Sequence, residues 1–300
     1  MLDFRVETFL CVCKYLNYTR AAEELSLTQP AVSQHIRHLE EYYGQKLFTY
    51  DRKMLTLTPA GEQLRNAMLA MRHDMVHLKH DLAETGSGVK RLDWGASLSI
   101  GEFLLPDLLS GYLRRHPEIQ IDYHLANTES LLDWLDRGMI DFAFVEGNFP
   151  KREYDYVTIK SERFIAVCGK DYPMEEMGKI SGLFSHTLLL REEGSGTRRI
   201  LGEYLKSVGY SFDDFPRICT MNSHHMILRL LEDNCGISFV YEIVARKAIS
   251  ENRLREFAVP GFDMRHELNF IWKKGSIYRD YYLDLLQDFY GIELSVRDTQ

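Results

Sequence analysis

A run of polar side chains on one predicted helix is the part of this sequence best suited to hydrogen bonding with another molecule. Residues 28–44 predict a helix with Thr28 as its N-cap and Pro30 in its first turn, where the missing N–H costs little. One face is apolar and must pack on a core: Val32, Ile36, Leu39 and Tyr43. The opposite face carries groups that can hydrogen-bond base edges or phosphates: Gln29, Ser33, Gln34, Arg37 and His38. An ordinary solvated surface is the alternative interpretation of that face.

The surrounding residues predict a helix-turn-helix, because a shorter helix and a tight turn precede the polar helix. In this motif the second helix enters the DNA major groove with its N-terminal residues on the bases. A first helix over residues 3–16 closes the core, and short strands at 47–48 and 55–58 predict a wing. Asp51-Arg52-Lys53 connects these strands and is suited to a phosphate or a minor groove, with a solvated turn as the alternative.

Several stretches of this region resemble the N-terminal domain of LysR-type transcriptional regulators. They are Tyr18 to Ala22, Leu27 to Ser33, Leu39-Glu40, Leu47-Phe48 and Leu55 to Gly61. The resemblance implies that residues 1–58 form a winged helix-turn-helix domain that binds promoter DNA. The side chains that it implies at the DNA are Arg20, Thr28, Gln29, Pro30, Ala31, Ser33, Gln34, Arg37, Arg52 and Lys53.

Thr58-Pro59 predicts the start of a long helix with apolar residues at heptad a and d positions. These residues are Leu64, Met68, Met71, Met75, Leu78 and Leu82. One helix cannot bury such a seam, so we predict a homodimer through a coiled coil, with packing on its own domain as the alternative. We expect His73, His77 and His80 on the outer, solvated face. Thr85-Gly86-Ser87-Gly88 is expected to break the helix, so we assign residues 59–88 to a linker, dimerisation helix and hinge.

From residue 92 onward, strands and helices alternate, which predicts an α/β fold. The predicted strands are 92–97, 119–125, 141–145, 163–168, 186–190, 218–221, 237–240 and 267–272. The predicted helices are 102–115, 128–138, 198–208, 224–234, 242–250 and 277–290. The LysR resemblance implies that residues 89–300 form a two-lobed effector-binding domain like that of periplasmic binding proteins. Lobe I would comprise about 89–160 and 266–300, and lobe II about 161–265.

Four helix starts in this region combine backbone N–H groups, a positive dipole end and a hydroxyl, which suits a small anion. Simple N-capping explains each start when it is taken singly. The family resemblance implies that the four converge on one cleft. It rests there on residues 191–198, REEGSGTR, which resemble a family segment with Glu193 in place of Pro. The implied effector contacts are Ser97, Ser99, Asn127, Thr128, Gly196, Thr197, Ser223 and His224.

Charge and composition limit the alternatives. Residues 1–91 carry 12 Lys or Arg and 11 Asp or Glu, a net charge of +1, so the acidity of the chain belongs to the second part. Phosphate contacts therefore depend on local placement of basic side chains. No apolar run could span a bilayer and no signal peptide is evident, so we expect a cytoplasmic protein. Five cysteines without a CxxC motif predict free thiols. A redox sensor built on Cys168, Cys219 or Cys235 is the alternative.

Catalytic motifs are missing from the sequence: there is no nucleophile elbow, dinucleotide fingerprint, HExxH or phosphate loop. We therefore expect no enzyme, no cofactor and no metal site. The leading hypothesis is a LysR-type regulator that binds double-stranded promoter DNA and responds to a small anionic co-inducer. The resemblance further implies a dimer of dimers. It also allows RNA polymerase as a protein partner. An enzyme on the same scaffold and a ligand-free architectural protein are the remaining alternatives.

Overall fold

The computed structural model describes residues 3–52, 54–87, 90–147, 149–175 and 179–291. Its N-terminal part contains α1 (Phe4–Tyr15), α2 (Tyr18–Glu24), α3 (Gln29–Tyr43), β1 (Phe48–Asp51) and β2 (Met54–Leu57). Both predicted ends of α3 are confirmed. Thr28 Oγ1 accepts from the Ala31 N–H at 3.3 Å, and Gly44 ends the helix in the left-handed conformation.

The apolar face of α3 packs on α1 and α2 around a small core. Val32, Ile36 and Leu39 are buried there, as predicted. Tyr43 was predicted on the same face, and this is wrong, because its side chain is 41% exposed. Tyr43 is the last residue of α3, and its ring packs edge-on against Tyr42 instead of the core.

A single helix, α4 (Pro59–Ser87), connects the two parts of the chain over 29 residues. The prediction that Thr85 to Ser87 break this helix is therefore wrong, while Gly88 lies outside the described residues. One glycine costs a helix only about 1 kcal/mol relative to alanine, which a long helix tolerates.

Two histidines dock α4 onto the α/β part, where the sequence predicted a solvated face. His73 and His77 are buried, so that prediction is wrong for both. His73 Nε2 lies 2.9 Å from the backbone oxygen of Asp141, and His77 Nδ1 lies 3.0 Å from its Oδ1. The ring of Tyr278 packs on His77 at 4.1 Å between centroids. The sequence pattern along α4 could not show this second packing face; the His80 side chain lies outside the described residues.

The predicted heptad seam of α4 divides into two parts. Leu64 and Met68 pack into the N-terminal core, so they are not available to a partner helix and the prediction is wrong for these two. The first turns of α4 cover α1, which explains the difference. The remaining four side chains are exposed by 38% to 67%: Met71, Met75, Leu78 and Leu82.

The second part of the chain is α/β, as predicted. In chain order its elements are β3 (Arg91–Ser97), α5 (Leu98–Phe103), α6 (Leu105–Arg115), β4 (Gln120–Ala126), α7 (Thr128–Arg137), β5 (Phe142–Glu146), β6 (Tyr154–Gly169), β7 (Leu188–Arg191), α8 (Gly196–Ser207), β8 (Ile218–Met221), α9 (His224–Glu232), β9 (Ile237–Tyr241), α10 (Glu242–Ser250), β10 (Leu254–Glu256), β11 (Met264–Lys273) and α11 (Arg279–Tyr290). Single 3₁₀ turns occupy Ile180–Ser185 and Phe212–Asp214.

Two expectations about these elements are wrong. The helix predicted over 102–115 is two helices, because Pro106 has no N–H to continue the first one and instead begins α6. The strand predicted over 163–168 starts nine residues earlier, at Tyr154, and the short β10 was not predicted at all.

All strands from β3 onward form one sheet in the order β4-β3-β5-β11-β6-β9-β7-β8, with β10 also paired to β6. On one side β3 runs parallel to β4 and β5, and on the other β7 runs parallel to β8 and β9. The long antiparallel strands β6 and β11 join the two sides. Glu146 at the end of β5 is opposite Leu268, and Tyr241 at the end of β9 is opposite Phe164. The carboxyl ends of both parallel sets therefore approach the middle of this pair.

We predict that docking of α4 weakens as pH rises. Burial alone lowers the pKa of His77, but the hydrogen bond and charge of Asp141, with the charges of Asp81 and Asp74, outweigh it and raise the pKa above 6.5. A raised folded pKa means that the stabilisation is complete below pH 6.5 and is lost as pH rises through the folded value.

The measurement is thermal unfolding of the wild type and His77→Gln between pH 5 and 9. The wild-type advantage should be largest at the acidic end and should decline above about pH 6.5. His38→Gln on exposed α3 is the control, with no such pH-dependent difference expected. A constant wild-type advantage across the range would contradict the assignment.

Candidate functional site

The first turns of α3 present the polar residues that the sequence predicted at DNA. Thr28, Gln29, Gln34 and Arg37 are exposed, and Ser33 is half-buried. Gln29 Nε2 donates to Ser33 Oγ at 3.0 Å, so the two side chains form one hydrogen-bonding unit on the helix surface. Such a pair can present both donors and acceptors to base edges.

Flanking groups extend this surface on both sides. The Arg20 guanidinium lies 5.3 Å from the ring centre of Tyr15 and is exposed. Arg52 lies at the turn between β1 and β2, at the tip of the wing. Its φ of +45° is in the left-handed region. Pro30 is exposed and Ala31 half-buried at the start of α3, while Lys53 lies outside the described residues.

In the α/β part, the carboxyl ends of the strands meet across a closed cleft between the two sides of the sheet. Ser99 Oγ lies 3.0 Å from His224 Nε2 on the far side. The Glu129 N–H donates to the backbone oxygen of Gly194 at 3.4 Å, and Asn127 Nδ2 donates to that of Glu193, also at 3.4 Å. Polar groups from loops that are distant in sequence therefore hold the cleft shut.

Two glycines at the start of α8 allow this close approach. A Cβ on Gly194, which has a φ of +83°, would lie 2.8 Å from Glu129 Oε2. A Cβ on Gly196 would lie 3.0 Å from Glu146 Oε2 and 3.1 Å from Thr128 Oγ1. Any side chain at these positions would push the two sides of the cleft apart.

His224 and Arg191 form a buried pair at one end of the cleft. Burial, with the charges of Arg191 and His225, holds the pKa of His224 well below its usual value, so the ring is neutral. Arg191 Nη1 lies 2.7 Å from His224 Nε2, and a guanidinium can only donate. The proton must therefore sit on Nδ1 of His224, which is buried and has no hydrogen-bond partner.

Arg191 also donates two hydrogen bonds to the carboxylate of Glu192. Its Nε donates to Glu192 Oε2 at 2.7 Å and its Nη2 to Oε1 at 2.8 Å, a bidentate pair. The charge of this arginine is therefore already matched by a carboxylate before any ligand binds.

Glu146 and Tyr241 lie at the other end of the cleft. Thr128 Oγ1 donates to Glu146 Oε2 at 3.1 Å, and both residues are buried. Burial, together with the charges of Glu146 and Glu162, raises the pKa of Tyr241 well above 10.0, so the phenol is neutral. The hydroxyls of Tyr241 and Ser97 are buried without a hydrogen-bond partner, which marks them as groups able to receive a ligand.

The predicted effector residues divide between the interior and the rim of the cleft. Five side chains are buried in it: Ser97, Ser99, Thr128, Thr197 and His224. Gly196 lies beside Glu146, whereas Asn127 and Ser223 cap the helices α7 and α9 at the rim. Four further cleft residues were not predicted from the sequence: Glu146, Arg191, Ser195 and Tyr241. A polar residue that ends an apolar strand, as in FAFVE and LLLR, is the signal that could have found two of them.

The described residues also line cavities outside the closed cleft. One, of about 620 Å³, opens beside it between α7 and α8, where Glu129, Ser195 and Arg198 line it. Another, of about 280 Å³, lies between α1, α4 and α7. Ion pairs span this second gap, with Lys14 at 3.1 Å from Asp133. It is therefore a domain junction with charged walls.

The buried thiols are poorly suited to nucleophilic chemistry. Burial raises the pKa of Cys13 to about 12 and also raises that of Cys168, which disfavours the reactive thiolate. Cys219 and Cys235 are exposed free thiols. Over the residues that the structure describes, no group of His, Cys, Asp and Glu is arranged to hold a metal ion, and no helix is long and apolar enough to cross a membrane.

Comparison with known proteins assigns both parts of the chain. Residues 5–62 match the family described as bacterial regulatory helix-turn-helix protein, lysR family. Residues 85–285 match the LysR substrate binding domain. The transcriptional regulator CfxR of Cupriavidus necator is 30% identical over 249 residues, which cover 79% of this chain and 74% of CfxR.

Two solved structures share the fold. Full-length LysG from Corynebacterium glutamicum, with bound effector Arg, has a TM-score of 0.57 at 16% identity, covering 96% of this chain and 98% of LysG. The CcmR regulatory domain of Synechocystis PCC6803, in complex with 2-PG, has a TM-score of 0.58 at 17% identity and covers 69% of this chain and 99% of that domain. At these identities the likeness shows the fold alone.

We predict that Gly196→Ala opens the cleft, because the added methyl group meets Glu146 and Thr128 at about 3 Å. Overpacking of this kind lowers the free energy of unfolding by roughly 1–3 kcal/mol. The measurements are denaturant unfolding and amide hydrogen exchange at the start of α8, which should become faster.

Gly111→Ala in α6 is the matched control. The nearest atom to its added methyl is a flexible Arg115 nitrogen at 3.5 Å, so this change should be neutral or stabilise by up to about 1 kcal/mol. Equal effects of the two substitutions would contradict a tight contact at Gly196.

Proposed function

The chain belongs to the LysR family of transcriptional regulators, and from that premise we propose how its residues share DNA recognition and metabolite sensing. It is a DNA-binding regulator with an N-terminal helix-turn-helix and a C-terminal substrate-binding domain. The observation that carries the proposal is the buried polar cleft of the second domain, where unpartnered polar atoms meet helix N-termini.

At the DNA, we assign base contacts to Gln29, Ser33 and Gln34 on the first turns of α3. We assign phosphate contacts to Thr28, Arg20 and Arg37. Pro30 and Ala31 closely approach the DNA backbone. The wing residues Arg52 and Lys53 probe the adjacent minor groove. The exposure of the α3 residues and the left-handed Arg52 at the wing tip support this assignment.

The exposed part of the α4 seam supports dimer formation. Met71, Met75, Leu78 and Leu82 follow one stripe of α4, and their side chains are exposed by 38% to 67%. We propose that α4 of a second copy covers it as a coiled coil. Leu64 and Met68 belong to the domain core instead. A dimer of dimers through the effector domain is the assembly that the family resemblance implies.

For the second domain we propose two lobes of the periplasmic-binding-protein type. Lobe I comprises about residues 89–160 and 266–300, and lobe II about 161–265. The position of β6 and β11 between two parallel strand sets supports this division. LysG is described with bound Arg and CcmR with 2-PG, so a small metabolite is the proposed effector here as well.

The effector contacts proposed are those of the cleft interior and rim: Ser97, Ser99, Asn127, Thr128, Gly196, Thr197, Ser223 and His224. A ligand that binds one degree of lobe closure more tightly shifts the population toward it. Through α4 this changes the placement of the DNA-binding domains at promoters, where RNA polymerase is the partner. Such a role belongs in the cytoplasm.

We predict that Gln29→Ala relaxes sequence preference on DNA. Loss of a base contact should cost roughly 1–3 kcal/mol at a specific site and little on random DNA. The measurement is binding at fixed salt to a selected operator and its single-base variants. Lys79→Ala on α4 is the control; unchanged preference for Gln29→Ala would contradict its role in base recognition.

We predict that Leu78→Glu dissociates the dimer, because it places a charge in the middle of the apolar seam. Analytical ultracentrifugation over a concentration series should show monomer where the wild type is dimeric. Lys79→Glu introduces the same side chain at the neighbouring exposed position and should leave the dimer intact. A dimeric Leu78→Glu variant would exclude this seam as the interface.

We predict that small acids raise the thermal midpoint of the full chain. A ligand at one hundred times its Kd adds about 2.7 kcal/mol of stability. Ser97→Ala and Thr197→Val should abolish the shift because both hydroxyls lie in the cleft. Ser250→Ala, on the surface of α10, should retain it. A shift that survives both cleft substitutions would place the ligand elsewhere.

A further inference from the structure

Glu146 is a buried carboxylate in a cleft for which the sequence predicted an anion. It is only 3% exposed and ends β5, directly opposite Leu268 of β11. Among the described residues, Glu146 forms no ion pair, and its one side-chain hydrogen bond comes from Thr128 Oγ1. A buried carboxylate with a single neutral donor is costly to keep, so its presence needs a reason.

The charges around Glu146 do not compensate it. Arg191, the buried cation of the cleft, already forms a bidentate pair with Glu192. His224 is neutral, since burial and the charge of Arg191 lower its pKa. Of the buried charges in the cleft, Arg191 is therefore matched by Glu192, whereas Glu146 has no cation partner among the described residues. A simple anion placed there would meet this charge directly.

Unpartnered groups show that the cleft is arranged to receive a ligand as well as to close. Ser97 Oγ, His224 Nδ1 and the Tyr241 hydroxyl are buried without hydrogen-bond partners. At the N-terminus of α8, Gly196 lies beside the Glu146 carboxylate and the Thr128 hydroxyl. These donors and the helix dipole suit the acidic end of a ligand, whereas the carboxylate requires a donor.

We propose that Glu146 makes this cleft specific for an acid that also carries a hydrogen-bond donor, an ammonium or hydroxyl group, next to its acidic group. This inference rests on the effector cleft of the proposed function and refines its ligand. The acidic group binds the helix N-termini and the unpartnered donors. The ammonium or hydroxyl group donates to Glu146 and supplies the partner that the free protein lacks. Simple anions of the same size are rejected.

The test uses two matched series of acids on the full chain, with Kd measured by thermal shift or calorimetry. One series is succinate, L-malate and L-aspartate, and the other is 3-(phosphonooxy)propionate, 3-phospho-L-glycerate and O-phospho-L-serine. Within each series only the substituent changes, from hydrogen to hydroxyl to ammonium. In at least one series the wild type should prefer a donor-bearing member by about tenfold or more.

The variant Glu146→Gln keeps the size of the side chain and its ability to accept from Thr128, but it removes the charge. It should reduce the preference for an ammonium at least tenfold and bind the donor-free acid more tightly than the wild type does. Glu118→Gln makes the same charge change on an exposed surface far from the cleft and should leave both values unchanged. The two donor-bearing acids distinguish an ammonium from a hydroxyl ligand.

A second measurement needs no ligand. Because the Glu146 charge lacks a cation, Glu146→Gln should raise the thermal midpoint of the free protein at neutral pH, whereas Glu118→Gln should not. A lowered midpoint would show that α8 and Thr128 already satisfy the carboxylate, and the inference would fail. If the wild type bound donor-free and donor-bearing acids equally, this inference would fail while the proposed effector cleft would stand. Binding of none of the six acids would count against the proposed effector cleft as well.

Discussion

The pairing of β6 with β11 is the constraint on which the effector domain depends. These two strands pair in continuous register from Tyr154 and Lys273 to Phe164 and Met264, with one irregularity at Leu268 and Asn269. Asn269 is fully buried there and accepts from Thr158 Oγ1 at 2.9 Å. Each half of the sheet attaches to a different end of this ribbon, so its twist and bending set how closely the two halves approach.

Closure of the cleft is a balance between contact and charge. Backbone and side-chain hydrogen bonds cross the cleft, and two glycines at the start of α8 let the backbone approach without a clash. Against these contacts stand a buried carboxylate and several buried polar atoms without partners, which cost free energy in the closed state. Under the proposed function, a few hydrogen bonds added by a small ligand decide the preferred state of a cleft with such opposing contributions.

Sequence patterns predicted most elements because each pattern is local. The apolar stripe of α3, its caps and the alternation of strands and helices all reflect neighbours within about a dozen residues. The first half of β6 escaped prediction because its residues are mostly half-buried and mixed in polarity. The burial of His73 and His77 depends on Asp141, more than sixty residues away. Glu146 and Arg191 escaped for the same reason, since strand order decides which loop ends meet.

The unbroken α4 has a mechanical consequence. Its 29 residues, at about 1.5 Å each, make a rod about 44 Å long that connects the DNA-binding domain to the effector domain. Because His73 and His77 fix the far half of this rod to the effector domain, the two must tilt together. From Pro59 to the anchor at His73 the helix spans about 21 Å, so a tilt of about 10° would move its free end by about 4 Å, roughly one base-pair step of DNA.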